Sequence, residues 1–446
     1  MQARSISRRE MLKGCVAAGA AAAAAGLLGR LAMGQQSQPV RRRPNIIFIL
    51  ADDLGFECLG AYGGKTYKGL GPVKTPNLDA MARRGMRFEK CFATPVCSPA
   101  RAELLTGQYN FRSGFTDIAG RRGAAKSLDA VRHPTLAATL KAAGYVTAVT
   151  GKWHLGPGGD FPAPDTVQTN ARHVTDCGFD HQCVFDGAHL KDYGEPKGGL
   201  YTPQWMHDWA LRFLDARKGK PEPFFLYYSS PIPHVPLKPT PLNPDSKADD
   251  KDLFPRLIEY LDKQVGELVA KVRDLGMAGD TLIFFSGDNG TNKVATELAD
   301  GREVRGGKGT MLDTGSWVPL IALWPGTVPA GSACQDLTDF TDLMPTCLEL
   351  AAAPSPADLD GVSFAPRLLG RRGKARQWVH VQYVDQWFAR DDKYKLRETG
   401  ELYDITDSPF DEKPVPDGPG QAAEARIRLQ AVLDRLHPKP ASAPNR

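Results

Sequence analysis

A cysteine at residue 97 stands in a setting suited to nucleophilic chemistry. Cys97 opens a Cys-Ser-Pro-Ala-Arg segment that ends at Arg101, and a helix-forming run follows it and closes at Gly107. At a helix entrance, unpaired backbone N–H groups and the positive end of the helix dipole favour an anion, and they favour the charge of an activated nucleophile too. A buried structural cysteine beside a helix cap is the alternative interpretation of this residue taken alone.

Two pairs of oxygen-bearing side chains indicate a metal site. Asp52 and Asp53 directly follow one apolar run, and Asp288 and Asn289 come shortly after another. Their oxygens are hard ligands, so the set favours Ca²⁺ first and Mg²⁺ second, and it disfavours zinc. We expect the glycine that closely follows each pair to permit the turn that brings both side chains onto one ion. Either pair alone is typical of a solvated loop or a helix cap, but two pairs in equivalent places favour a metal.

The elements that must position these residues are apolar strands alternating with helices. Continuous apolar runs rich in β-branched and aromatic residues predict strands buried on both faces, at 45–51, 145–149, 224–228, 281–285 and 318–324. Helical patterns at 133–143 and 253–275 lie between them. This alternation predicts an α/β fold with a large, mostly parallel sheet flanked by helices, and with the polar residues gathered at the carboxyl edge of the sheet.

The pattern changes beyond about residue 366. Short alternating runs predict a smaller antiparallel sheet, and an amphipathic helix over 421–436 closes it. The stretch 157–203 is rich in glycine and proline and is predicted to form loops with short elements over the site. The predicted organisation is therefore a leader over 1–34, a catalytic domain over 35–365 and a small C-terminal α+β subdomain over 366–446.

The first residues are typical of a targeting segment. Arg8 and Arg9 precede an apolar, alanine-rich run, which predicts a twin-arginine signal peptide, a mature start near Gln35 and a periplasmic or secreted product. The apolar run is short for a membrane span, so no stable membrane insertion is expected, although an uncleaved membrane anchor is the alternative.

The composition does not indicate a nucleic-acid partner, because the net charge is only +5 over 446 residues. Six cysteines besides Cys15 and Cys97 allow disulfides without fixing their connectivity.

The Cys97 segment, with the Leu-Leu-Thr-Gly run behind it, resembles the signature of the formylglycine-dependent sulfatases, the arylsulfatase type of the alkaline phosphatase superfamily. Three further motifs are similar to motifs of that family: Gly-Lys-Trp-His-Leu-Gly with Lys152 and His154, Pro-Ile-Pro-His-Val-Pro with His234, and Gly-Gly-Lys-Gly-Thr with Lys308. Read alone, a lysine among glycines can approach an anion closely, but it is also an ordinary loop residue. Together they imply an enzyme that hydrolyses a sulfate monoester.

The resemblance also implies a role for each residue. A maturation enzyme would oxidise Cys97 to formylglycine, whose hydrate offers one hydroxyl as nucleophile and keeps a second to expel the product. Residue 97 and the two pairs would bind one divalent ion, commonly Ca²⁺, and Asp288 would activate the attacking hydroxyl. The implied catalytic groups are Arg101, Lys152 and Lys308, which hold the anion, His234, which protonates the leaving oxygen, and His154, which accepts the proton of the second hydroxyl.

One departure from the family pattern concerns Trp317. Many members carry Glu-Gly-Gly-x-Arg before Val-Pro, whereas this chain has tryptophan where that arginine stands. Trp317, with Trp205 and Trp387, is a candidate surface for a sugar ring, although each alone is more typical of packing. We expect a sulfated small molecule or oligosaccharide as substrate. The alternatives are a phosphonate or phosphodiester hydrolase of the same superfamily, and a non-catalytic exported glycan-binding protein if Cys97 stays unmodified.

Overall fold

The apolar run after the leader forms the central strand of a large sheet. The structure, a computed structural model, describes residues 43–68, 71–157, 166–185, 201–247 and 252–437, so the predicted leader lies outside the described residues. The strands are β1 (Asn45–Ala51), β2 (Gly64–Tyr67), β3 (Gly71–Pro72), β4 (Met86–Phe92), β5 (Val146–Lys152), β6 (His181–Phe185), β7 (Phe224–Ser229), β8 (Thr281–Gly287), β9 (Ala295–Leu298), β10 (Glu303–Arg305), β11 (Trp317–Leu323), β12 (Ser332–Asp339), β13 (Val379–Tyr383), β14 (Gln386–Arg390), β15 (Tyr394–Arg397), β16 (Leu402–Asp404) and β17 (Lys413–Pro414).

The helices lie between these strands. They are α1 (Pro76–Arg84), α2 (Cys97–Thr106), α3 (Asn110–Ser113), α4 (Leu136–Ala142), α5 (Thr166–Asp176), α6 (Thr202–Arg217), α7 (Leu253–Asp274), α8 (Asp313–Ser316), α9 (Leu343–Leu350), α10 (Ala365–Leu368) and α11 (Gln421–Leu436). Among the described residues, none of these helices combines the length and the apolar character needed to cross a membrane.

The large sheet has eight strands in the order β12, β4, β11, β8, β1, β7, β5 and β6. Five neighbouring pairs are parallel, and β11 runs antiparallel to both β4 and β8. This confirms the predicted α/β fold with a mostly parallel sheet. On β1, Ile46, Phe48 and Leu50 face one hydrophobic core, while Ile47 and Ile49 face the other. The strand is apolar throughout because both of its faces are covered.

Two further sheets are antiparallel. The C-terminal sheet has the order β13, β14, β15, β16 and β17, and α11 packs on it through Leu429 and Leu433, which confirms the predicted smaller unit. The second sheet, with the order β10, β9, β2 and β3, was not predicted. Its strands are two to four residues long and mostly half-buried or exposed, so they carry little hydrophobic signal.

The stretch 157–203 differs in part from the prediction of loops. It contributes α5 and the edge strand β6, which pairs in parallel with β5, while residues 158–165 and 186–200 lie outside the described part. Of the cysteines, the seven within the described residues are all buried free thiols, so no disulfide forms among them.

Candidate active site

Cys97 is the first residue of α2, and its side chain is buried. The helix ends at Gly107, whose φ of 64° is the left-handed conformation typical of a helix C-terminus. In front of the helix entrance, the Sγ of Cys97 and one carboxylate oxygen each from Asp52 and Asp288 all lie within 4.8 Å of one another. The structure therefore brings the cysteine and both acidic pairs together at one edge of the sheet.

Strand register brings the two acidic pairs side by side. Ala51 at the end of β1 pairs with Gly287 at the end of β8, so the chain leaves both strands at the same level. The backbone N–H of Asp53 donates to Oδ1 of Asp288 at 3.0 Å. The Asn289 amide donates to Oδ1 of Asp53 at 2.9 Å. The two loops are thus joined directly by hydrogen bonds.

The expected role of the glycines differs from what the structure shows. The left-handed backbone conformation belongs to Asp53 itself, with φ 67°, and aspartate tolerates that region better than most residues. Gly55 has φ −74° and makes no such turn. Gly290 is needed for a different reason, because a Cβ there would lie 1.9 Å from the carbonyl oxygen of Thr314.

Several site oxygens receive no hydrogen bond, although Arg101 lies 3.5 Å from Asp52 Oδ1 and His234 lies 3.8 Å from Asp53 Oδ2. Among the described residues, Asp52 Oδ1, Asp53 Oδ2 and Asn289 Oδ1 are buried and accept no hydrogen bond. Leaving such atoms unsatisfied is costly. Asp52 and Asp53 also form, with His234, a group whose ligand atoms lie within 4.8 Å of one another. Because these free oxygens converge and are hard donors, the residues present fit a cation of the Ca²⁺ or Mg²⁺ type.

Three cations accompany the three carboxylates. The Nζ of Lys152 lies 2.7 Å from Oδ2 of Asp52. An Nη2 of Arg101 lies 2.7 Å from Oδ2 of Asp288 and 3.5 Å from Asp52. The third cation, Lys308, is 2.5 Å from Oδ1 of Asp53 and is 16% exposed. All these groups except Lys308 are almost fully buried, so their charges act in a poorly screened environment.

Burial and mutual charge shift the pKa values in opposite directions. Burial alone raises the pKa of Asp52, but the charge of Lys152 and its neighbours outweighs it and holds that pKa well below its usual range. For Asp288, burial and the charge of Asp52 raise the pKa well above its usual range, against the opposing Arg101. Burial lowers the pKa of Lys308, yet the charge of Asp53 outweighs it and the pKa is raised. The lysine therefore stays protonated.

The two histidines of the predicted site have different neighbours. His234 Nε2 is 3.8 Å from Oδ2 of Asp53, and its Nδ1 contacts the carbonyl oxygen of Val235. Since that oxygen only accepts, Nδ1 carries the proton in the neutral ring. Burial lowers the pKa of His234 to about 4. His154, also buried, has φ 58°, and its carbonyl oxygen accepts from the Ser98 hydroxyl at 2.9 Å, beside Cys97.

Two hydroxyl residues of the site were missed by the sequence analysis. Ser229 at the end of β7 accepts a hydrogen bond from Arg101 and donates one to the carbonyl oxygen of Lys152 at 2.6 Å. Thr291 accepts from the backbone N–H of Gly55 at 2.8 Å, which is a third hydrogen bond between the two acidic loops. Their only sequence signal is position, since each lies at or just beyond the end of a predicted strand.

The three candidate tryptophans are placed differently from one another. The ring of Trp317 packs between Phe56, with centroids 4.6 Å apart, and Phe92, at 5.6 Å, and its Nε1 donates to the carbonyl oxygen of Glu89 at 2.9 Å. Trp387 stacks on His437, and Trp205 on α6 is 37% exposed. Where many family members have the arginine of Glu-Gly-Gly-x-Arg, this chain therefore has a tryptophan packed between two phenylalanines.

The comparisons identify the family. A family model described as Sulfatase matches residues 44–353, and one described as the C-terminal part of N-sulphoglucosamine sulphohydrolase matches residues 307–437. The chain belongs to the sulfatase family of the alkaline phosphatase superfamily.

Two relatives illustrate the similarity in sequence. The chain is 31% identical over 365 residues to the N-acetylgalactosamine-6-sulfatase of Canis lupus familiaris, covering 73% of this chain and 66% of that protein. It is 34% identical over 397 residues to the arylsulfatase A of Homo sapiens, covering 80% and 75%. The match thus spans slightly less than two thirds of the length of the first relative.

Solved structures share the fold. A structure from work on glycosaminoglycan metabolism by Bacteroides thetaiotaomicron matches with a TM-score of 0.71 and 24% identity, covering 89% of this chain and 99% of the other. A protein solved with its substrate D-glucosamine-2-N,6-O-disulfate matches with a TM-score of 0.67 and 22% identity, covering 88% and 97%.

Proposed function

We propose that the protein hydrolyses a sulfate monoester of a carbohydrate. The observation that carries this proposal is the convergence of Cys97 with Asp52 and Asp288 within 4.8 Å, at a helix entrance and beside buried cations. A tetrahedral anion bound at that point meets positive charge and backbone N–H groups. Membership of the sulfatase family supports the same reaction.

The nucleophile is residue 97 after oxidation of the thiol to formylglycine by a maturation enzyme. When hydrated, this aldehyde supplies one hydroxyl for attack on sulfur and a second for expelling sulfate. The chain supports it through the entrance of α2, whose N–H groups favour negative charge at residue 97. Asp288, whose carboxylate is held by Arg101 at 2.7 Å, is the proposed base for the attacking hydroxyl.

The proposed metal ligands are the two acidic pairs together with residue 97. A bound Ca²⁺, or Mg²⁺ as second choice, would polarise the sulfate and neutralise part of its charge. Asp52, Asp53 and Asn289 each offer a buried oxygen that accepts no hydrogen bond in the described part of the chain, which supports this assignment. Asp288 offers its carboxylate from the adjacent strand end.

The three cations hold and orient the anion. Lys152, Arg101 and Lys308 approach from three different segments, so they surround a small anion on several sides. Each is pinned by a carboxylate, which fixes its position before substrate arrives. Their proposed role is to stabilise charge on the sulfate oxygens as the ester bond breaks.

Two histidines are proposed to transfer protons. We assign His234 to protonate the leaving oxygen from Nε2 and His154 to accept the proton of the second hydroxyl. In the free protein His234 carries its proton on Nδ1, toward Val235, and burial holds its pKa near 4. An anionic substrate beside Nε2 raises that pKa and thereby favours the doubly protonated ring that can donate.

The sugar part of the proposal draws on the relatives. One is named for 6-sulfated N-acetylgalactosamine, and one fold neighbour was solved with a disulfated glucosamine. We propose removal of a terminal sulfate, that is, exo action. The decisive experiment measures sulfate release from a panel of sulfated mono- and oligosaccharides, with an aryl sulfate, a phosphodiester and a phosphonate monoester alongside. Release from the aryl ester alone would overturn the sugar substrate, and preference for a phosphorus ester would overturn the sulfatase reaction.

The remaining proposals concern export and organisation. We propose that Arg8 and Arg9 direct the folded protein out of the cytoplasm by the twin-arginine route, after maturation of Cys97. We also propose a functional division into a catalytic part over 35–365 and a C-terminal part over 366–446. If purified protein retained only unmodified Cys97 and bound sulfated glycans without turnover, a glycan-binding role would replace the enzymatic one.

A further inference from the structure

The turn that carries Lys308 is held by backbone hydrogen bonds on its site side. Lys308 N–H donates to the carbonyl oxygen of Thr291 at 3.2 Å, and Gly309 N–H donates to that of Pro95 at 2.9 Å. Further along, Gly290 N–H donates to the carbonyl oxygen of Gly315 at 2.8 Å. Segment 307–316 therefore lies against the second acidic loop and against the chain that leads into Cys97.

The other side of this segment is held by one buried carboxylate. Asp313 is 1% exposed, and its Oδ1 lies 2.6 Å from the Nζ of Lys395 on β15. Its Oδ2 pairs with Arg390 on β14 and accepts from Ser408. Its backbone N–H donates to Glu412 at 2.9 Å. Every one of these partners comes from the C-terminal sheet or its loops.

The cluster is balanced in charge and closed to solvent. Lys395 is fully buried and lies 2.6 Å from Glu412 as well as from Asp313. Its Nζ also donates to the carbonyl oxygen of Met311 at 3.2 Å, so it binds the segment at a second point. Arg390 is 3% exposed and lies over the ring of Phe92, 4.5 Å from its centroid. Two carboxylates and two cations thus neutralise each other in the interior.

We infer that Asp313, Arg390, Lys395 and Glu412, here called the Asp313 cluster, are positioning residues through which the C-terminal sheet sets the place of Lys308 in the active site. Asp313 begins α8, five residues after Lys308, and the cluster holds this end of the segment while Asp53 contacts the Lys308 ammonium. The predicted effect of the cluster on turnover rests on the proposed function. The inference adds that catalysis depends on charges of the C-terminal sheet that never touch the substrate.

The test compares two buried carboxylates in the full-length protein. Asp313→Asn removes the charge that faces Arg390 and Lys395. Asp342→Asn is the matched control, because Asp342 is equally buried and paired with Arg376, and it accepts hydrogen bonds from the backbone of Asp339 and Val362, outside segment 307–316. Two readouts are used: backbone hydrogen–deuterium exchange of the peptide over 307–316, and steady-state hydrolysis of an aryl sulfate.

The inference predicts faster exchange over 307–316 in Asp313→Asn and no change there in Asp342→Asn. It predicts that kcat falls on the order of 10²-fold in Asp313→Asn with a smaller change in KM, as expected for a displaced catalytic group. Asp342→Asn lowers Tm but not kcat. Unchanged exchange over 307–316 in Asp313→Asn, or an equal loss of kcat in the two variants, would overturn the inference.

A double variant separates positioning from stability. Adding Arg390→Met to Asp313→Asn removes both members of one buried ion pair and leaves Lys395 paired with Glu412 at 2.6 Å, so Tm should recover while kcat stays low. Recovery of both together would mean a structural role only and would overturn the inference. If the wild-type protein hydrolyses no sulfate ester at all, the proposed function fails, and the exchange experiment alone still decides whether the cluster holds the turn.

Discussion

The backbone N–H of Asp53 donates a hydrogen bond to Oδ1 of Asp288 at 3.0 Å, and this contact joins two loops that are 235 residues apart in sequence. The strands β1 and β8 deliver both residues to the same level of the sheet. Asp53 itself has a left-handed backbone conformation, with φ 67°. The acidic residues are therefore held together by the main chain, which leaves other side-chain oxygens free to bind an ion.

Replacing Cys97 by alanine should abolish turnover and leave the fold intact. The buried side chain is small and the change to alanine removes only its sulfur, so the free energy of unfolding should change little. Aryl sulfate hydrolysis and circular dichroism measure the two effects. Peptide mass spectrometry of an active wild-type preparation should show formylglycine at residue 97, and finding only the unmodified thiol there would refute the proposed nucleophile.

Replacing Asp53 by alanine should remove the bound metal. The change deletes one free oxygen and the carboxylate that meets Lys308, so metal affinity should fall by at least the roughly 10- to 100-fold seen for outer-shell partners. Elemental analysis of purified protein gives the metal content. Asp300→Asn is the control, because Asp300 is exposed and forms its ion pair with Arg302 rather than with a residue of the site. Zinc in the wild-type protein, or calcium retained by the Asp53 variant, would contradict the assignment.

Replacing Arg8 and Arg9 by lysine should block export. The twin-arginine route reads the arginine pair itself, so a change that preserves charge still removes the signal. Fractionation should then show precursor accumulating in the cytoplasm of a bacterial host. The matched control changes Arg41 and Arg42 to lysine, outside the predicted leader. Equal export of both variants would mean that the segment is not a twin-arginine signal.

The central strands could be predicted from the sequence because their position in the sheet requires apolar residues. β1, β7 and β8 are covered on both faces, so nearly every residue must be apolar and the pattern is continuous. By contrast, β12 lies at the edge of the sheet, and around its bulge the exposed Ala333 and Gln335 flank the buried Cys334, so it resembles a loop in sequence. The strand β4, next to it, carries Arg87 and Glu89 on its partly exposed face.

The site residues that could be predicted from the sequence are those that follow the central strands. Residues at the ends of central strands could be found because register alone brings them together, as with Asp52 and Asp288. The Asp313 cluster could not be found in this way. Asp313 and Arg390 are 77 residues apart and belong to different sheets, so their pairing depends on how the C-terminal sheet docks. No local pattern in the sequence carries that information.

Glu57 provides a prediction about pH. It is fully buried in the short helical turn Phe56–Cys58, and its Oε2 accepts no hydrogen bond in the described part of the chain. Burial raises its pKa from 4.5 to about 7, against a hydrogen bond from Thr291 that lowers it. Since the folded pKa lies above the unfolded one, the fold favours the protonated acid.

The sign of the effect on stability follows from this difference. Below pH 4.5 the carboxyl is protonated in the folded and unfolded states alike, so its ionisation does not lower the free energy of unfolding. As the pH rises from 4.5 through 7, the unfolded chain ionises first and stability falls; above that range the full penalty of about 3 kcal/mol remains. Glu57→Gln should therefore raise the free energy of unfolding by up to about 3 kcal/mol at alkaline pH and leave it unchanged in acid. Urea unfolding below pH 4.5 and above pH 7 measures this change in stability. Glu349→Gln is the control, because Glu349 is exposed. If Glu57→Gln raised the free energy of unfolding equally in acid and in alkali, ionisation of Glu57 would not be the cause.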